Sequence, residues 1–135
     1  MQLTENRPEE QYFIHSLDPD AIQIVEDRYN RSLILSPFEG VRDWPVASVD
    51  ALRTDDLAPI LEWRPEVVLL ATGRIQRFPA REIQVEMLRN NIGLEVMTLD
   101  AAARTFNVLA SEDRRVVAAL IWESDAQPDQ GTAGR

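Results

Sequence analysis

Along this chain the apolar residues fall in short runs, and the spacing of those runs changes part-way. Ile22-Gln-Ile-Val-Glu26 and Arg31-Ser-Leu-Ile-Leu35 are brief β-rich stretches on either side of Asp27-Arg-Tyr-Asn30. That arrangement predicts a hairpin turning at the Asp and Asn. Ser36-Pro-Phe-Glu-Gly40 interrupts the pattern, and Val41-Arg-Asp-Trp-Pro-Val46 then alternates apolar with polar. Pro45 cannot donate to a ladder, so this third run belongs at a sheet edge or ends at its proline. The three runs make an N-terminal β-meander.

From Thr54 the period lengthens. Thr54 predicts a helix cap with Asp55 and Asp56 in the first turn, where the dipole favours acids, and Leu57, Ile60 and Leu61 on one face. Val67-Val-Leu-Leu-Ala71 is apolar without interruption, as a strand buried on both faces would be. After a loop opening at Gly73, Ala80, Ile83, Met87 and Leu88 give a second helical stripe that stops at Asn90-Asn-Ile-Gly93. Leu94 to Thr98 reads as a strand. Asp100 then caps a helix over Ala101 to Ala110 with Ala102, Phe106 and Leu109 inward, and Val116 to Trp122 is the last strand.

Strands that alternate with helices imply parallel pairs covered by helices. The fold class expected is therefore α/β, with Val67–Ala71, Leu94–Thr98 and Val116–Ile121 neighbours in one sheet. At 135 residues one domain suffices. It spans 12–123, with 1–11 a flexible N-terminus and 124–135 a disordered C-terminal tail poor in apolar residues.

Composition removes whole classes of chemistry. The cysteine count is 0, which excludes disulfides, thiol nucleophiles and thiolate metal sites. All 14 basic residues are arginine, so no lysine is present for a Schiff base or a phosphate loop. A formal charge of −9 disfavours nucleic acid and anionic membrane surfaces, and a cationic protein is the partner it suits. No apolar run approaches the roughly 20 residues of a membrane span, so no integral membrane segment is expected. The polar, acidic opening residues lack a secretory layout, and the expected setting is cytoplasmic.

The residues left for chemistry form two groups. Ala71-Thr-Gly-Arg74 follows a buried strand and precedes a helix, where α/β sheets bind ligands. Thr72, Gly73 and Arg74, with Arg77, could hold an anion there, although a tight structural turn accounts for the same residues. Arg104, Thr105, Asn107, Glu112 and Arg114, joined by Ser111 and Arg115, crowd the third helix and its exit. They read either as a polar patch that grips a small anion or a partner's carboxylate, or as an ion-paired helix end. His15 is the only histidine and lacks companions for a metal site, and no nucleophile elbow occurs. Trp44, Trp63 and Trp122 suit either core edges or interface anchors.

Leu33-Ile-Leu35 with Pro37 and Trp44, Ala71-Thr-Gly73, Glu95-Val-Met97, Ala102-Ala-Arg-Thr-Phe-Asn107, and Glu112, Arg114 and Ala118-Ala-Leu-Ile121 together resemble the Mth-type domain-of-unknown-function family. The resemblance covers about 14–122, and Ala103-Arg-Thr-Phe-Asn107 is its most specific part. It implies a single three-layer domain with a mixed central sheet in which one strand runs against the others. The family has no established general reaction, and its best-described branch acts in assembling a respiratory complex. The resulting expectation is a non-catalytic, protein-binding or assembly-factor-like protein, monomeric or a weak homodimer, without cofactor or metal. The alternative is a small-anion or small-ligand domain or enzyme using Thr72-Gly73-Arg74 with Arg104 and Asn107.

Overall fold

Five short strands occupy the region from Ile14 to Asp43, arranged in two sheets. The computed structural model describes residues 11–123, so most of both expected flexible ends, 1–10 and 124–135, lies outside the described residues. Strands β1 (Ile14–Leu17), β2 (Ile22–Ile24) and β3 (Asp27–Tyr29) form an antiparallel meander of their own. The hairpin predicted at Asp27–Asn30 is displaced. Val25 adopts a left-handed φ of 55° and starts the turn, and Asp27–Tyr29 becomes a strand with Ile22 opposite Tyr29. The apolar Ile22–Val25 run masked that turn, and pairing register outweighed the local preference of Asp and Asn for bends.

Strand β4 (Leu33–Ser36), expected as the second half of that hairpin, enters the main sheet instead, because its three apolar residues are buried on both faces. It pairs with β5 (Gly40–Asp43), which lies at the sheet edge as Pro45 required, with the proline beyond its end. Two 3-10 turns, Val49–Ala51 and Thr54–Leu57, lead into α1 (Ala58–Glu62). There follow β6 (Val67–Ala71), α2 (Arg81–Arg89), β7 (Gly93–Met97), α3 (Leu99–Ser111) and β8 (Val116–Leu120).

The five-stranded sheet has the order β5-β4-β8-β6-β7. Strands β6, β7 and β8 are parallel neighbours, while β4 is antiparallel to both β5 and β8 and alone opposes the other four. Alternation along the strands divides the core in two. Leu33, Leu35, Leu69, Ala71, Ala118 and Leu120 pack under α3 and the small meander. Ile34, Val68, Leu70, Val117 and Ala119 pack under Trp44, Ile60, Ile83 and Met87 on the opposite face. Three layers result, because both sheet faces are apolar and each needs a cover.

The caps differ from expectation. Thr54 opens its turn instead of capping it, and Asp56 accepts from the Arg53 N–H at 2.8 Å. Thr98, not Asp100, caps α3 through a hydroxyl that accepts from the Ala101 N–H at 3.3 Å, and Asp100 sits in the first turn. On α2 only Ile83 and Met87 of the predicted stripe are buried, while Ala80 and Leu88 face solvent. His15 lies within β1 beside the Phe13 ring.

Candidate functional site

Parallel strands deliver their carboxyl ends to one side of a sheet, and the chain leaves β6 and β7 toward opposite faces, to α2 and α3. A crevice opens where adjacent connections diverge in this way. Here it is a cavity of about 810 Å³. Its walls are the segments that follow the three parallel strands, Thr72–Ile75 with Arg77, Thr98–Asp100 and Ile121–Glu123, together with Leu17, Asp18 and Pro19 from the meander.

Thr72 shapes the first of these segments. It is 2% exposed, and its hydroxyl donates to the Ile75 carbonyl at 2.8 Å and accepts from the Arg77 N–H at 3.0 Å. Gly73 has φ +96° with open space where a Cβ would stand, and its carbonyl accepts from the Leu99 N–H at 2.7 Å. The loop is thereby tied to the start of α3. Arg77 reaches Asp50 at 2.6 Å and Glu123 at 3.8 Å across the cavity rim. Asp18 accepts from the Asp20 and Ala21 N–H groups and from Arg28, and these backbone bonds above all hold its carboxyl below the ordinary value. Ile75 is 68% exposed at the mouth.

Of the candidate residues, Thr72, Gly73 and Arg74 line this cavity, and Arg104, Thr105, Asn107, Glu112 and Arg114 do not. Arg104 is exposed on α3. Asn107, placed with it on a polar face by helical spacing, is 5% exposed. Its amide accepts from the Ile14 N–H at 2.9 Å and donates to the Ile14 carbonyl at 2.8 Å, completing the edge of β1 as a neighbouring strand would. Ser111 returns its hydroxyl to the Val108 carbonyl at 2.7 Å.

The helix-exit group lies at the other end of the sheet. Arg114 pairs with Glu66 at 2.8 Å, and that bond with its charge raises the guanidinium further above its ordinary value. Arg115 donates to the Trp63 carbonyl at 3.2 Å and to the Arg64 carbonyl at 3.0 Å. Trp44 is buried, with its indole N–H on the Asp56 carbonyl at 2.8 Å. Sequence reasoning missed the cavity contributions of Asp18, Thr98, Asp100, Trp122 and Glu123. Applying the strand-end rule to all three parallel strands, and not to 67–71 alone, would have found the last four.

Among the described residues no group of three or more His, Cys, Asp or Glu is placed to hold a metal ion. The family model described as a protein of unknown function, DUF498/DUF598, matches residues 14–121. The chain belongs to this family. A solution structure from Xanthomonas campestris superposes with a TM-score of 0.79 at 38% identity, over 98% of this chain and 100% of that one. A Mth938-like domain of Bordetella pertussis gives 0.78 at 26% identity, over 93% and 94%. Two curated proteins are also similar. The 13 kDa major membrane protein of Francisella tularensis is 30% identical over 69% of this chain and 76% of its own length. NADH dehydrogenase (ubiquinone) 1 alpha subcomplex assembly factor 3 of Danio rerio is 37% identical over 80% of this chain, which spans 63% of that relative. The Mth-type resemblance and the mixed α/β fold expected from it both hold.

Proposed function

We propose that this protein works by contact and not by turnover, as a non-catalytic binding protein of assembly-factor type whose contact surface is the carboxyl end of the parallel strands. The observation that carries this reading is the cavity mouth, where Ile75 is exposed beside Arg74 and Arg77 in a segment whose backbone is already fixed by Thr72 and Gly73. Arginine beside a large apolar side chain on a prepared backbone is the composition of a protein-binding hot spot. The family tie to an assembly factor supports it. Proton transfer near neutral pH draws most often on His, and the chain's single His15 lies outside the cavity lining.

The cavity volume favours a second reading, a small-ligand or small-anion site, since about 810 Å³ lies within the roughly 300–1,000 Å³ of ligand pockets. Affinity capture from the native host with wild type and Ile75→Ser in parallel separates the two. The contact reading predicts a protein recovered by wild type, lost by Ile75→Ser, and no turnover in an esterase, phosphatase and oxidoreductase screen. Turnover abolished by Arg74→Ala in a folded variant would overturn it. The cytoplasmic setting and a monomeric or weakly dimeric state belong to the same proposal. No described helix is long and apolar enough to cross a membrane. Cell fractionation and light scattering test those two points, and recovery in the membrane fraction would contradict the first.

A further inference from the structure

The two edges of the main sheet are finished differently. Edge strand β5 carries Arg42 and Asp43, paired with Glu62 at 3.0 Å and Arg31 at 2.7 Å, the kind of charged margin that discourages further strand pairing. Edge strand β7 carries one charge, Glu95. Beside it runs the connection from β6, which holds four of the large exposed apolar side chains: Ile75, Phe78, Val85 and Leu88.

The register shows which β7 groups are available. The Gly93 N–H donates to the Glu66 carbonyl and the Met97 carbonyl accepts from the Thr72 N–H, so Gly93, Glu95 and Met97 face β6. Alternation turns the N–H and C=O of Leu94 and Val96 outward. The Val96 carbonyl meets the Gln76 side-chain amide at 2.8 Å, which confirms its direction. Among the described residues the Leu94 N–H, the Leu94 C=O and the Val96 N–H have no protein partner. Leu94 and Val96 pack toward the α2 side, and Glu95 is exposed on the other side.

We infer that β7 is a docking edge for an extended segment of a partner protein, in which apolar residues alternate with Lys or Arg. Main-chain bonds to Leu94 and Val96 hold such a segment. Its apolar residues continue the Leu94 and Val96 row toward α2, and its basic residue stands opposite Glu95 on a molecule of net charge −9. A second copy is the poorer occupant, because two β7 strands would bring two Glu95 carboxylates onto one face of the joined sheet. Gln76 belongs to the loop that borders the cavity, so this edge and the cavity mouth are contiguous parts of one surface.

The inference rests on the contact reading above, and its test can fail alone. Amide exchange of the full chain is followed by NMR with the peptide acetyl-Thr-Val-Lys-Val-Lys-Val-Thr-amide and with its Lys→Glu counterpart. The expected result is about ten-fold slower exchange at Leu94 and Val96 with the Lys peptide. Glu95→Lys, an exposed substitution, should reverse a preference of about three-fold for that peptide over the Glu form. Gln76→Ala, which uncovers the Val96 carbonyl, should tighten binding about five-fold. Protection elsewhere, no protection, or a preference that Glu95→Lys leaves unchanged overturns the docking edge. A partner captured through the cavity with the β7 amides still exchanging freely overturns it too, and leaves the contact reading standing.

Discussion

The two ends of the parallel strands carry similar residues in different settings. At the amino end Arg114 and Arg115 are spent on Glu66 and on the carbonyls of Trp63 and Arg64, closing the turn that leads into β6. At the carboxyl end the loop is held from within by Thr72 and Gly73, which leaves Arg74 and Ile75 lining a cavity. Five residues of strand, roughly 15 Å, separate the two groups. Arg115 completes backbone bonds at the amino end, whereas Arg74 lines the cavity at the carboxyl end, the surface we propose for recognition.

The comparison breaks first at the helix that joins the ends. Phe106→Ala, fully buried on the inner face of α3, should cost about 3–5 kcal/mol by urea unfolding and weaken both ends equally. A loss under about 1 kcal/mol would mean that α3 does not organise the sheet face it covers. Asn107→Ala removes both bonds to Ile14 and should cost about 2–4 kcal/mol. In that variant the Ile14 amide should exchange rapidly while the cavity-lining amides keep their protection.

The ends themselves should then separate. Arg115→Ala is expected to lower stability by about 1 kcal/mol, since Trp63 and Arg64 lose a donor at an exposed site. Arg74→Ala should change stability by less than about 0.5 kcal/mol while removing partner or ligand binding. Equal stability losses in the two variants would erase the distinction. The smallest effect concerns Asp18. Its folded carboxyl sits below the ordinary value of 3.8, so its contribution is present above that pH and fades as pH falls through the lowered value. Asp18→Asn should therefore lower the melting temperature by a small, pH-independent amount above about pH 4 and flatten the acid side of the profile below it, so that the two proteins converge in acid.

The sheet was legible at 67–71 and 116–121, where the strand is a continuous apolar run, and at 94–98, which Glu95 interrupts, from its place between two helical stripes. The meander was not, because strands of three or four residues carry too little periodicity and Val25 hid the turn inside an apolar run. The loop of Thr72, Gly73 and Arg74 was legible from its position after a buried strand. Asn107 was misplaced because its role depends on Ile14, 93 residues away, and helical spacing alone cannot tell a buried amide from an exposed one. Beside Phe106 and Ala110 it faces the core, and its polarity is satisfied by the backbone of β1.

We propose that the carboxyl end, not the amino end, meets the partner. Site-specific photo-crosslinking in the native host tests it directly, with the photoreactive residue at position 75 in one variant and at position 112 in another. A discrete higher-mass adduct is expected from position 75 and none from position 112. An adduct from position 112 alone, or none from either, would contradict it.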